Sequence, residues 1–491
     1  MQQKKHPTLI IILACVIVIV CFSLAAIIIT FSNQIRESYQ IGQLIYTNEP
    51  NETILSLFDP LDPEVIGIKH DIEISTYTTT DMQNIQNTSD ILYNIRVPAT
   101  DYYNSILNIS SNDLYNFNKN IKIIPIQELE ANLRLLSIDD QYYLDSFTSG
   151  ALFDFLHLSG ETEDIEKIVA TLAPNLPDFP TSDTVLTLAQ TGVTALSRGM
   201  YTKLRNVTDA SYFATNLVDF FSKFDYKHTS NEASFSTLAN SSNICSAPTM
   251  IDVITSLDFN IIELTGNHNL DCGDNDALST LATYADLNIQ IVGGGATADL
   301  AAQPLEIEAK NTNITLLAYN YSTGGYTLDQ TPGANFFTIE KVTTDIENAK
   351  ERGDFAIVDV QFFECNAYDN IAEDTTCDYA NSSEGDQVTF FRQLIDLGAN
   401  IVVGTSAHQP QTFERYKDGY IYYGLGNLFF DQAWWPGTTR SLILVHYFQN
   451  NELLQTRIVP TVYDQNYQTK LMDNKTAEWF INRLNRARPQ E

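Results

Sequence analysis

The first strong pattern in the chain is a run of apolar residues, TLIIILACVIVIVCFSLAAIIITF, from Thr8 to Phe31. At about 1.5 Å of rise per residue, a helix of that length exceeds the ~30 Å hydrocarbon core of a bilayer. Lys4, Lys5 and His6 precede it and Arg36 is the first charged residue after it. The positive-inside rule therefore predicts residues 1–7 as a cytoplasmic tail, residues 8–31 as a transmembrane helix, and the bulk of the chain outside the cell. The alternative is a cleaved signal peptide, but the run is longer than a ~7–15-residue signal core, and no clear A-x-A site follows it.

Residues 32–183 read as a stalk and a mixed α/β N-terminal region. In KIIPIQELEANLRLLSID (122–139) an apolar strand and a proline precede a stretch with Leu129, Leu133 and Leu136 at helical spacing. PNLPDFPTSD (174–183) carries three prolines and reads as a linker. Beyond it the rhythm changes. VLTLAQ, YKHTSNE, FNIIELTG, IQIVGGG, NITLLAYN, FAIVDVQFF and NIVVGTSA are short β-rich runs, several of them separated by helical patterns such as SYFATNLVDFFSKF and NDALSTLATYADL. Strands alternating with helices predict α/β layers around a largely parallel sheet. YIYYGLGNLFF, RSLILVHYF and LLQTRIVPTVYD follow as consecutive strands and predict a second, mixed or antiparallel sheet. The expected domain is 184–465, with a helical tail over 466–491.

Charge narrows the range of partners. The formal net charge is −33, with 28 Lys and Arg against 61 Asp and Glu. Such a surface repels phosphate backbones, which argues against nucleic-acid binding. It also repels an anionic polymer, unless cations or a local basic groove intervene. Four of the six cysteines, Cys245, Cys272, Cys365 and Cys377, lie beyond the apolar run. An even number in an oxidising compartment is compatible with disulfides. Three pairings are possible, of which Cys245–Cys272 and Cys365–Cys377 are the most local; four free thiols are the alternative.

Candidate chemistry falls at the C-terminal ends of the predicted strands, where open α/β sheets bind ligands. Arg198, in TGVTALSRG, is placed to face an anion. Asn231 and Glu232, in SNEAS, are a candidate ligand and general base. TGNHNLDCGD puts Asn267 and His268 side by side, able to reach a metal or an oxyanion, with Asp271 three residues on to orient the imidazole or cap the next helix. Gln361 and Glu364 follow the FAIVDV strand. His408 and Gln411 lie in GTSAHQPQTFE, and Asn427 in YYGLGNLFFDQ, where Gly424 and Gly426 would let backbone approach a ligand. The bland reading of each is a turn, a cap or a solvated loop.

These clusters, in this order, resemble the CapA family of capsule and poly-γ-glutamate synthesis proteins over about Leu186 to Tyr463. The resemblance is strongest at ELTGNHNLDCG and at GANIVVGTSAHQPQTFERYKDGYIYYGLGNLFFDQ, which is similar to the family run aGadlViGxHpHxxQgxExyxgkxIxYsLGNfxfD. It implies a calcineurin-like metallophosphatase fold, a four-layer sandwich of two packed sheets with outer helices. The chain departs from the family pattern at presumed ligand positions. Val193 follows Gly192 where the family has Gly-Asp; Gln361 begins QFFEC where it has His-Trp-Gly-x-Glu; Ser406 begins SAH where it has His-Pro-His. A two-metal hydrolase needs a bridging carboxylate and several imidazoles around ions about 3.5–4 Å apart. One weakly held divalent ion on Asn267 and His408, or none, is therefore expected.

Two functions fit. One is an enzyme acting on an extracellular anionic polymer, with Glu232, His268 and His408 catalytic and Asn231, Asn267, Gln361, Glu364, Gln411 and Asn427 binding. The other is a non-catalytic polymer-binding or assembly factor of the capsule-synthesis machinery. Either way, Asn231, Glu232, Asn267, His268, Gln361 and His408 are expected to converge on one crevice, with Val193 in its wall.

Overall fold

The computed structural model describes residues 44–46, 61–62, 65–66, 68–78, 90–101, 106–110, 121–147, 152–173, 179–207, 209–321, 324–362, 387–433 and 436–489. The predicted transmembrane run at 8–31, Glu364, Cys365, Cys377 and the first half of the predicted linker, 174–178, lie outside them. Among the described residues, no helix is long and apolar enough to cross a membrane.

These residues form two compact units, one drawn from within 1–99, 122–129 and 148–179, the other from within 100–121, 130–147 and 180–491. In the first unit, strand Leu152–Ser159 pairs antiparallel with Ile72–Thr78 and with Asp90–Asp101. The buried Asp164 carboxylate accepts the backbone N–H groups of Lys69 and His70 and an ion pair from Lys167.

The second unit carries the candidate chemistry. The strands of its two large sheets are β1 (Leu186–Thr194), β2 (Tyr226–Asn231), β3 (Ile261–Glu263), β4 (Gln290–Val292), β5 (Leu305–Ala309), β6 (Thr312–Asn320), β7 (Phe355–Gln361), β8 (Ile401–Gly404), β9 (Phe413–Tyr416), β10 (Gly419–Tyr422), β11 (Asn427–Phe429), β12 (Arg440–Gln449), β13 (Glu452–Tyr463) and β14 (Thr469–Leu471). Eight of them form a sheet in the order β4-β3-β2-β1-β12-β13-β14, with β11 also beside β1. The other six form a sheet in the order β5-β6-β7-β8-β10-β9.

The partition differs from the expected one. The late strands β12 to β14 extend the first sheet antiparallel to β1 and do not build a sheet of their own. The parallel strands are instead split between sheets, β1 to β4 in one and β6, β7, β8 and β10 in the other. Alternation explains the split. Ile314 and Leu316 of β6, Ile357 of β7 and Ile401 and Val403 of β8 share one core with Leu186, Leu188 and Ile261 of the first sheet. Their odd-numbered or even-numbered neighbours, Leu317, Val358 and Val402, face outward onto helices α2 (Ile339–Arg352) and α3 (Gln387–Leu397). Both faces of each strand are buried, so these runs read as parallel core strands in sequence and gave no sign of which sheet they join. Helix α1 (Asp274–Asp286) meets the outer face of the first sheet through Tyr284, and α4 (Asn474–Arg486) adds Phe480 and Ile481 to the inter-sheet core.

The helix expected around Leu129–Leu136 is absent. A single 3-10 turn ends at Glu128 and Leu133–Leu135 is extended. Tertiary hydrogen bonds override the periodicity: the Gln455 amide on β13 donates to the carbonyl oxygens of Glu130 and Leu133 and accepts the Leu135 N–H. The SYFATNLVDFFSKF stretch is likewise broken into two short turns, Ala210–Phe213 and Val218–Phe221. Of the possible disulfides, Cys245–Cys272 forms, with Cα atoms 6.0 Å apart.

Candidate functional site

Strands alternate, so His228 and Ser230 of β2 and Glu232 just past its end point to the same side, toward the other sheet. Asp359 and Gln361 of β7 face them. At depth, His228 Nε2 lies 3.1 Å from Asp359 Oδ2. Nearer the strand ends, Gln361 Nε2 donates to Glu232 Oε1 and to Asn267 Oδ1, both at 3.3 Å. The C-terminal edges of the two sheets thus meet, and Glu232, Asn267 and Gln361 form one hydrogen-bonded trio. The convergence comes from two facing sheets; the sequence argument had placed these strands as neighbours in one sheet.

Gly266 permits the trio, because a Cβ there would lie 2.7 Å from Glu232 Cα. The Cys245–Cys272 bond ties the loop after β2, which carries Glu232, to the loop after β3, which carries Asn267. A link of this kind contributes roughly 2–4 kcal/mol by restricting the unfolded chain.

His408 forms a second group. Asn427 uses its amide N–H groups on Gln432 Oε1 and the Thr438 carbonyl, so its Oδ1 accepts from His408 Nδ1 at 2.8 Å and the ring proton sits on Nδ1. The imidazole also lies against Phe430, with ring centroids 5.2 Å apart. Phe430 packs with Val193, Ala195 and Ala233, all buried. This apolar plug separates the two groups: Ala233 follows Glu232, and Phe430 backs His408. Arg198 covers the ring's other neighbourhood, its Cζ 4.6 Å from the Phe430 centroid, and the anion it faces is Asp431 at 2.6 Å. Burial pushes the Asp431 carboxyl up, against the pull of the Gly199 N–H and Arg198.

Other candidates fall elsewhere. His268 sits next to Asn267 with 29% of its side chain exposed, and Asp271 holds its Nδ1 at 2.9 Å, the orienting role foreseen for that carboxylate. Asn231 faces the opposite way from Glu232, as alternation requires. Its amide donates to the Ala233 carbonyl and to the Tyr284 hydroxyl on α1, so it anchors a helix outside the crevice. Gln411 is buried, and its Oε1 accepts from Gln387 at the start of α3. A Cβ on Gly424 would lie 2.6 Å from Ala407 Cβ, and one on Gly426 2.5 Å from Pro410 Cδ, so both glycines admit protein, not ligand.

Below the trio lies a polar stripe that the motifs did not reveal. Gln190, His228, Ser230, Glu263, Asp359 and His446 are all buried on the inward faces. Gln190 Nε2 donates to Asp359 Oδ1 at 2.6 Å, and His446 Nε2 lies 3.3 Å from Gln190 Oε1. Its sequence signal was polar residues two apart within apolar strands. Burial, and then the Asp359 charge, push the Glu263 carboxyl up from its ordinary 4.5. An acid whose pKa rises on folding stabilises the fold below its unfolded pKa and loses that contribution as pH rises through the folded value. Glu263→Gln keeps the acceptor used by Thr265 and removes the charge. It is expected to raise the urea midpoint at pH 7, with the gain vanishing below about pH 4.5; an equal gain at both pH values would contradict this.

The residues do not fit a two-metal centre. Val193 occupies the carboxylate position inside an apolar cluster, and the Gln361 amide directs N–H groups at the two oxygens a cation would need. Among the described residues, no three His, Cys, Asp or Glu side chains are grouped to hold an ion.

A family model described as bacterial capsule synthesis protein PGA_cap matches residues 187–432. The capsule biosynthesis protein CapA of Bacillus anthracis is 23% identical over 216 residues, 43% of this chain and 49% of that protein. The PGA biosynthesis protein CapA of Bacillus subtilis (strain 168) is 27% identical over 203 residues, 41% of this chain and 50% of that protein. The chain therefore spans about half the length of the curated relatives it matches. Among solved structures, the NAD nucleotidase NadN of Haemophilus influenzae covers 61% of this chain and 55% of its own at 9% identity and a TM-score of 0.32, too low to carry an argument. The family match takes in half of the chain and all three sequence departures at Val193, Gln361 and Ser406, and on it the chain belongs to the bacterial capsule synthesis protein family PGA_cap.

Proposed function

We propose that this protein is a membrane-anchored, extracytoplasmic component of acidic capsule-polymer assembly, of the poly-γ-glutamate type, which binds polymer without cleaving it. The observation that carries the reading is the Gln361 amide between Glu232 and Asn267. The hydrogen bonds it donates take the place that cations hold in a two-metal hydrolase. Glu232, at 1% exposure, is then a buried carboxylate with Oε1 on the Gln361 amide and no route to take a proton from a bulky substrate. The apolar run at 8–31 supports the anchor, with residues 1–7 inside the cell. A net charge of −33 opposes simple electrostatic capture of a polyanion, so capture requires added cations or local basic groups.

The full chain, purified in detergent micelles, is the material for the test. It is to be incubated with poly-γ-glutamate, with and without divalent cations, as wild type and as Glu232→Gln. Cosedimentation with polymer and an unchanged polymer length are expected for both. Polymer shortening by the wild type that Glu232→Gln abolishes would overturn the reading. It would favour the hydrolytic alternative, for which the partly exposed His268 held by Asp271 is the base to examine.

A further inference from the structure

Helix α4 buries Ala477, Phe480, Ile481 and Leu484 in the inter-sheet core. Its opposite face carries Lys475, Trp479 and Arg486, whose i, i+4, i+11 spacing puts them on one side of a helix. All three are exposed, Trp479 at 44%. Arg440, the first residue of β12, reaches the same indole from a different element: its Cζ lies 5.2 Å from the Trp479 centroid and 5.5 Å from that of Phe480. Arg483 Cζ lies 5.4 Å from the Trp479 centroid. Residues 474–489 hold Lys475, Arg483, Arg486 and Arg488 against Glu478 alone, in a chain of 28 basic and 61 acidic residues. The helix dipole accounts for Arg483 and Arg486, in the last turn of α4. It accounts for neither Lys475, in the first turn where a cation is disfavoured, nor Arg440, on a strand. Among the described residues, no carboxylate lies within ion-pair distance of Arg440 or Lys475. Burial, and then the charge of Arg483, push the Arg440 guanidinium below its ordinary pKa, the state of a cation short of a counter-charge.

We propose that this face of α4, with Arg440 at its edge, is where the acidic polymer docks, its carboxylates on Arg440 and Lys475 and its amide backbone across the Trp479 indole. The inference rests on the polymer-binding reading above and adds the place. Stacking uses the flat face of the Arg440 guanidinium and leaves its in-plane N–H donors to meet a carboxylate, whose two oxygens they match. An exposed indole offers a flat, rigid contact area that costs little side-chain entropy to order. A local cationic face also supplies what a net charge of −33 otherwise denies a polyanion.

The probe is poly-γ-glutamate, cosedimented with the full chain in micelles at low ionic strength, with and without divalent cations. The double variant Lys475→Glu/Trp479→Gln changes two exposed positions, and an acid in the first turn suits the helix dipole, so its melting temperature is expected to match the wild type. Its affinity for the polymer is expected to fall at least tenfold. Arg440→Gln should act in the same direction if it folds, and the surface double variant decides the matter if it does not. Lys350→Glu, at an exposed position on α2, makes the same change of net charge as Lys475→Glu and is expected to leave the affinity within twofold. Glu232→Gln is expected to have no effect. Polymer binding that the double variant retains in full, or that Lys350→Glu weakens as much, would overturn the docking face and leave the polymer-binding reading standing. No polymer binding by the wild type under either condition would overturn both. Phosphatidylserine added to the micelles is expected to leave the wild-type affinity unchanged; a loss that Lys475→Glu/Trp479→Gln does not share would assign the face to lipid headgroups and overturn the proposal.

Discussion

Asp359→Ala is expected to lower the stability of the folded protein by about 1–3 kcal/mol, the cost of leaving buried polar groups without their partner. Asp359 sits on β7 at the centre of the sandwich, 1% exposed. One carboxylate oxygen accepts from Gln190 and the other meets His228. The network has a direction. Gln190 spends an amide N–H on Asp359, so its Oε1 accepts from His446 Nε2, and His446 Nδ1 in turn takes the Thr456 hydroxyl proton at 2.8 Å. That arrangement needs a neutral His446. Burial, and then the nearby His228, push its pKa down from 6.5 to about 3. A base whose pKa falls on folding stabilises the fold above its unfolded pKa and loses that contribution as pH falls toward the folded one. Stability of the wild type should therefore decline between about pH 6.5 and pH 3 in part through this ring. Urea unfolding at pH 7 measures the Asp359→Ala effect through its midpoint, with an unchanged slope showing that the native state kept its compactness. A loss under about 1 kcal/mol, the worth of an ordinary hydrogen bond, would mean that the network is not formed. Combining the change with His228→Leu should cost less than the sum of the two, because the buried imidazole that Asp359→Ala strands is then gone.

The same network shows what could and could not be read from sequence. TGNHNLDCG was legible as chemistry because Asn267, His268 and Asp271 are polar, adjacent and at a strand end, and the His268–Asp271 contact needs only a local turn. Gln190, His228, Glu263 and Asp359 were not, because each is a single polar residue inside an apolar strand, and what joins them is the packing of one sheet on another. Period-two alternation would have separated Asn231 from Glu232, and it links His228, Ser230 and Glu232 into one stripe; applied to β7 it adds Asp359 and Gln361. What no local pattern carries is the division of the parallel strands between two sheets. Strands buried on both faces look alike wherever they pair, so β12 to β14 were assigned to a sheet apart from β1 when they are its antiparallel extension. The 129–136 segment failed for the opposite reason. Its leucines do have helical spacing, and one distant side chain, Gln455, outbids them by satisfying three backbone groups of the extended form.

Val193→Asp would restore the Gly-Asp pair of the family pattern, and it is expected to destabilise the protein by about 3 kcal/mol or more rather than to build a metal site. The native side chain is fully buried and packs in an apolar cluster with Ala195, Ala233 and Phe430. A carboxylate put there either stays charged and pays desolvation or takes up a proton and loses stability by the amount of that shift. A cation could rescue it only if neighbouring ligands converged on the same point. The nearest oxygens of the trio are already directed at the Gln361 amide, and His408 turns its Nδ1 to Asn427. The expected result is a lowered urea midpoint that Mn²⁺ or Zn²⁺ at millimolar concentration does not recover. Adding Gln361→His to Val193→Asp supplies an imidazole in place of the bridging amide, and is the stricter version of the experiment. If millimolar metal restores more than about 1 kcal/mol to either variant, a level equivalent to binding well above its dissociation constant, then Glu232, Asn267 and His408 can act together as ligands. The non-hydrolytic reading of the protein would then have to yield to a metal-dependent one.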